Sequence, residues 1–307
     1  MLNKRLKAII ILTLILYNNL NLKKENKYKY KYCFKCIKKI NNLPPKCSKC
    51  PTELILEGLK IVSTEDTIKE IIQFNKSISR YGDGEFSLIF GISINFQEFN
   101  ERLSKKLLEI LNNNKTNLLV GIFYYPYKKN ELLKILNKKK KYYSADITRF
   151  YSKFKNRTKV PQYIKKLKKI WMGRNILIVE GEKTRLGIGN DLFNNTKSIK
   201  RIICPSKNSF RVYDKILDIV LKFDKNMLIL ISLGPTATVL AYDLSNYGYQ
   251  TIDIGHTDIQ YELFLRYAKN IIQIPFKFVN EYNFGRNEDV GKVTDVMYYK
   301  QIVYNIF

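Results

Sequence analysis

The sequence predicts an α/β fold: a Rossmann-like, mostly parallel sheet with helices on both faces, preceded by a small N-terminal cysteine module. Two observations carry that prediction. Short unbroken apolar runs alternate with amphipathic stretches, as strands buried on both faces alternate with covering helices. The runs end in polar turns containing Gly, Pro or Asp, where a strand gives way to a helix. With 307 residues, 45% hydrophobic and 13% aromatic, the chain can bury a sizeable core, which excludes a disordered chain.

The elements of the main domain, residues 60–307, follow in order. Ser63-Thr64-Glu65-Asp66 opens a helix with a cap and early acids, and Ile68, Ile71 and Ile72 share one face. After the polar stretch Arg80-Tyr81-Gly82-Asp83-Gly84-Glu85, a helix is expected at 99–111 and an apolar strand at 118–122. The Tyr- and Lys-rich segment 123–169 is read as helices. Strands are expected at 175–179, 199–203, 227–233 and 250–254. Helices are expected at 213–223, from Pro235, which suits a first helical turn, and at 257–267.

Two segments precede this domain. In residues 1–22 a basic start leads into the apolar run 8–17, a signal-peptide profile with no small-residue cleavage site after it. Ten helical residues rise about 15 Å against a hydrocarbon layer of about 30 Å. Three readings stay open: an interfacial anchor on a cytoplasmic protein, a secretory signal anchor, or a helix packed on the main domain. Residues 23–55 hold Cys33-Phe34-Lys35-Cys36 and Cys47-Ser48-Lys49-Cys50. Four thiolates from two tight turns can close a structural Zn²⁺ site, and a secretory location would favour disulfides instead. Cys204 reads as a small buried hydrophobe.

The net charge of +27 suits a nucleic acid or an anionic membrane surface. It is spread along the chain with abundant Lys, Asn, Ile and Tyr, so it reads as a solvated basic surface, with nucleic acid the lesser partner.

In parallel sheets ligands gather beyond the carboxyl ends of strands, so the strand-end loops are the place to look. Lys183 and Arg185, in a loop that also holds Gly187 and Asn190, can neutralise a diphosphate. The helix start at Pro235 offers backbone N–H groups, with the Thr236 and Thr238 hydroxyls beside them, to an anion or a ribose. His256, the single histidine, stands beside Asp258, with Glu262 one helical turn later. Asp253 supports this loop from the strand end. Taken alone, Asp83-Gly84-Glu85 is an ordinary turn.

Five segments in order, 80–85, 179–193, 198–205, 233–244 and 253–262, together resemble the GT-D-fold glycosyltransferases, which include bacterial glucosyltransferases that extend adhesin glycans. The resemblance covers about residues 60–270 and departs where the family tends to have Trp and this chain has Leu263. It implies a D-x-E motif, Asp83 and Glu85, holding Mn²⁺ or Mg²⁺. It also implies a nucleotide-sugar donor, a UDP-sugar such as UDP-glucose, and a glycan or glycoprotein acceptor. Two carboxylates around one glycine suit a hard cation that keeps places for diphosphate oxygens. Arg80 would bind phosphate or orient the carboxylates, and His256, Asp258 and Glu262 are the candidates for the base. Two rivals use part of the same features: a zinc-ribbon nucleic-acid-binding protein, and a metal-dependent phosphate-handling hydrolase.

Overall fold

The computed structural model describes residues 53–56, 59–123, 129–153, 157–282 and 289–307. The apolar run 8–17 and Cys33, Cys36, Cys47 and Cys50 lie outside the described residues. Among the described residues no helix is long and apolar enough to cross a membrane.

In chain order the strands are β1 (Glu53–Leu56), β2 (Leu59–Val62), β3 (Ser77–Tyr81), β4 (Leu118–Ile122), β5 (Lys141–Ser144), β6 (Asn175–Gly181), β7 (Ser198–Cys204), β8 (Leu228–Ser232), β9 (Thr251–Asp253) and β10 (Ile302–Asn305). The α-helices are α1 (Thr64–Gln73), α2 (Asp83–Ile89), α3 (Glu101–Leu111), α4 (Lys129–Ile135), α5 (Phe150–Lys153), α6 (Val160–Leu167), α7 (Tyr213–Val220), α8 (Pro235–Asn246), α9 (Thr257–Leu265) and α10 (Val296–Gln301). The strands form one sheet in the order β1-β2-β5-β4-β3-β9-β8-β6-β7-β10. Only the β1–β2 hairpin pairs antiparallel.

Alternation along β6 shows that both faces are covered. Leu177 and Val179 join a core with residues of α3, α7 and α8, while Ile176 and Ile178 join a second core with residues of α1, α6 and α9. Burial on both faces is what turns these strands into continuous apolar runs. The helix starts follow local chemistry. The Asp66 N–H donates to Ser63 Oγ at 3.1 Å, the Leu103 N–H donates to Asn100 Oδ1 at 3.0 Å, and Pro235 occupies the first turn of α8.

The segment 123–169 is a correction: it holds β5 as well as helices. Lys141-Tyr142-Tyr143-Ser144 buries only Tyr142 and Ser144, so its apolar signal is too short to read as a strand. β3 hides for another reason. Ser-Ile-Ser-Arg-Tyr is buried throughout, and its polar side chains are satisfied by distant partners: Ser77 Oγ donates to Tyr249 O at 3.3 Å and Ser79 Oγ to Thr238 O at 2.7 Å.

Candidate active site

β3 and β9 are neighbours at the seam between two halves of the sheet: β4, β5, β2 and β1 continue on one side, and β8, β6, β7 and β10 on the other. A reversal of this kind leaves a crevice at the strand carboxyl ends. A cavity of about 450 Å³ opens there, lined by residues that follow β3, β4, β6, β7, β8 and β9. That volume is within the range of small-molecule sites.

Asp83 and Glu85 enter it from the head of α2. Gly82 is the N-cap, Asp83 the first helical residue and Glu85 the third. Glu85 Oε2 accepts a hydrogen bond from the Gly82 N–H at 2.7 Å, the carboxylate half of a capping box. A Cβ on Gly82 would sit 3.2 Å from the Phe123 ring, so this turn has little room for a side chain. Asp83 is exposed and Glu85 half-buried, and both line the cavity. Burial pushes the Glu85 carboxyl up from 4.5 to about 7, against the Gly82 hydrogen bond that lowers it. Among the described residues no basic side chain pairs with either acid. Among the described residues no group of three or more His, Cys, Asp or Glu side chains could hold a metal.

Arg80 lines the cavity, and each nitrogen of its guanidinium is bonded within the protein. Its Nε donates to Asp253 O at 2.6 Å, Nη2 to Asp253 Oδ1 at 2.7 Å and Nη1 to Thr148 Oγ1 at 2.6 Å. This buried fork orients the turn from below, and Asp253 supports the loop as expected. Thr236 and Thr238 are also placed differently from the expectation, both buried inside α8. Thr238 Oγ1 donates to Arg80 O at 2.9 Å, while Thr236 Oγ1 has no hydrogen-bond partner among the described residues. What α8 brings to the cavity is its N-terminus, at Leu233 and Gly234.

The loop after β6 forms a wall in which most polar groups are already bonded. Arg185 Nη1 donates to Phe276 O at 2.7 Å and Gly291 O at 2.9 Å, and Lys183 is half-buried outside the cavity lining. The Gly187 N–H and Asn190 Nδ2 donate to Asp258 Oδ1 at 3.0 and 2.8 Å, and Asn190 Nδ2 also reaches Glu262 Oε1 at 2.6 Å. Lys277 Nζ lies between the two acids, 2.6 Å from Asp258 Oδ2 and 3.0 Å from Glu262 Oε1, and Arg266 contacts Glu262 Oε2. The Asp258, Glu262 and Lys277 side chains are 1%, 2% and 1% exposed. Asp258 lines the cavity and Glu262 does not, and the oxygens of both are already taken by these partners, which lowers their capacity to accept a proton from a substrate.

His256 has a different setting. It caps α9, lines the cavity and keeps 28% of its side chain exposed. Gly255 before it has φ +42°, and a Cβ there would meet Arg80 Nη2 at 1.9 Å, so only glycine fits between the fork and the histidine. His256 Nε2 lies 3.3 Å from Glu281 Oε2, and Glu281 Oε1 lies 2.9 Å from Arg149 Nη1. Sequence reading missed Arg149, Phe96 and Phe123, which line the cavity, and Glu281 beside them. Arg149 was hidden because β5, which leads to it, was unread; Glu281 lies beyond α9 in a segment without periodicity.

A family model described as "Glycosyltransferase GT-D fold" matches residues 78–132 and 125–282. A probable glycosyl transferase of Streptococcus gordonii is 35% identical over 267 residues, 81% of this chain and 39% of the relative. Glycosyltransferase GlyD of Streptococcus pneumoniae serotype 4 is 33% identical over 270 residues, 82% of this chain and 33% of the relative. The chain thus spans well under half the length of these curated relatives. A solved structure described as a new glycosyltransferase from Streptococcus sanguinis superposes with a TM-score of 0.76 at 34% identity, covering 81% of this chain and all of that one. Another, described as a highly conserved domain of unknown function with a distinct glycosyltransferase fold, gives 0.74 at 36%, covering 81% and 96%. The match spans both halves of the sheet and the cavity between them, and on that ground this chain belongs to the GT-D-fold glycosyltransferase family.

Proposed function

We propose that this chain is a metal-dependent glycosyltransferase that moves a sugar from a nucleotide-sugar donor, a UDP-sugar such as UDP-glucose, to a glycan or glycoprotein acceptor. One observation carries the reading: Asp83 and Glu85, on the first turn of α2, face a strand-end cavity with no basic partner among the described residues, in a chain of this family.

Asp83 and Glu85 would hold Mn²⁺ or Mg²⁺. The fit has a physical basis, since a half-buried Glu85 carboxyl that lacks counter-charge is satisfied by a hard cation. When bound, such an ion supplies Lewis-acid stabilisation of the charge on the departing nucleoside diphosphate. Gly82 holds one oxygen of Glu85 through its N–H, fixing the direction of that carboxylate. The N-terminus of α8 at Gly234 presents its positive end to an anion in the cavity. Of the three base candidates His256 and Asp258 line the cavity, and His256 Nδ1 has no bonded partner among the described residues, whereas both Asp258 oxygens are bonded.

The test is a panel of nucleotide sugars offered with Mn²⁺, read by calorimetry and by release of nucleotide. The expected result is slow release of UDP from a UDP-sugar, lost in Asp83→Ala. Because Asp83 is exposed, that variant should lose less than about 1 kcal/mol of stability. A protein that neither binds nor turns over any member of the panel refutes the reading. Release of inorganic phosphate instead of nucleoside diphosphate would favour a hydrolase.

A further inference from the structure

A line of three side chains, His256, Glu281 and Arg149, runs along one side of the cavity. His256 and Arg149 line it, and Glu281 stands behind them, 3.3 Å from one and 2.9 Å from the other. The Arg149 guanidinium lies 5.4 Å from the centre of the Phe123 ring, a second contact that limits its freedom. Glu281 and the His256 ring are each about a quarter exposed. A carboxylate facing one imidazole nitrogen selects the tautomer with hydrogen on that nitrogen and leaves a lone pair on the other.

We propose that Glu281 is a positioning residue: it holds His256 with Nε2 protonated, so that Nδ1 takes the proton of the attacking hydroxyl, and Arg149 holds Glu281 in register. This rests on the glycosyltransferase reading. In the step served, the hydroxyl oxygen bonds to the anomeric carbon as the bond from that carbon to the diphosphate oxygen breaks. The electron pair of the broken bond leaves on the diphosphate, and the hydroxyl proton passes to Nδ1. The imidazolium so formed faces the Glu281 carboxylate. Burial alone would raise that carboxyl, but His256 and Arg149 outweigh burial and hold it well below the usual carboxylate range. Arg149, always charged, keeps its pull on Glu281 while the ring is neutral.

The chain has a single histidine, so one imidazole signal reports the site. Full-length protein carrying nitrogen-15-labelled histidine, at a pH where the ring is neutral, should show the Nε2–H tautomer. Glu281→Met should mix the two tautomers. A wild-type spectrum of the Nδ1–H form overturns the proposal, and this measurement needs no variant to fold. The kinetic arm uses UDP-glucose, Mn²⁺ and water as nucleophile, following UDP release. Glu281→Met should lower kcat at least about tenfold with KM within about twofold. In a His256→Gln background the same change should cost nothing more, because Glu281 acts through the ring. Losses that multiply in the double variant, or a loss carried by KM, assign Glu281 a purely structural role and overturn the proposal. A wild type inert to the whole sugar-nucleotide panel refutes the glycosyltransferase reading; one that turns over but fails the tautomer or additivity test refutes only this inference.

Discussion

Arg80 and Asp253, 173 residues apart in the chain, form a buried ion pair with 2.7 Å between Nη2 and Oδ1, across the seam where β3 meets β9. The pair joins the two halves of the sheet directly beneath the turn that carries Asp83. Thr148 Oγ1 accepts from Nη1 and the backbone oxygen of Asp253 from Nε, so each guanidinium nitrogen is bonded and the charge is buried as well as paired.

Asp253→Asn removes the counter-charge and leaves the guanidinium buried. Breaking a buried pair from one side costs about 3–5 kcal/mol, which urea denaturation would read as a fall in midpoint. A loss below about 1 kcal/mol would mean that the Thr148 and backbone contacts suffice without the pair.

Glu85 makes the metal-free protein sensitive to pH. Its folded carboxyl, raised by burial to about 7, keeps a proton that the unfolded chain releases near 4.5. Between those values the folded state binds more protons, so its contribution to stability falls as pH rises through that window. In the presence of a chelator, the wild type should lose more thermal stability than Glu85→Gln between pH 5 and 7, in the sense set by linkage. Equal slopes for the two proteins would show that Glu85 is not the group responsible.

Lys277 holds two carboxylates together. With Lys277→Met, Asp258 and Glu262 face each other in the wall, with the Gly187 N–H, Asn190 and Arg266 as their remaining partners. The expected cost is about 3 kcal/mol or more by denaturant unfolding. A variant as stable as the wild type would show that the cluster relaxes by admitting water.

Much of this protein was legible in its residues. β4, β6 and β8 read directly as apolar runs because each is buried on both faces, β7 read from its buried end Ile202-Ile203-Cys204, and capping chemistry marked Ser63 and Pro235 as helix starts. The ordered strand-end loops pointed to the family, and Asp83, Glu85 and His256 do line one cavity. Other residues in those loops are bonded within the protein, Arg80 and Asp258 among them although both also line the cavity. Thr238, Arg80, Arg185, Asp258 and Glu262 carry the polar chemistry expected of ligand contacts, yet they spend it on one another and on the backbone.

The physical reason is the range of the forces involved. Periodicity, caps and turns depend on neighbours within a few residues, so the sequence by itself determined the alternating α/β class and the strand-end position of the site. Whether a polar side chain faces a ligand or a partner depends on contacts from distant parts of the chain. Asp253 reaches Arg80 across 173 residues and Lys277 reaches Asp258 across 19. Only the tertiary structure brought Arg149 and Glu281 beside His256, and only it decided which acids stay open to the cavity.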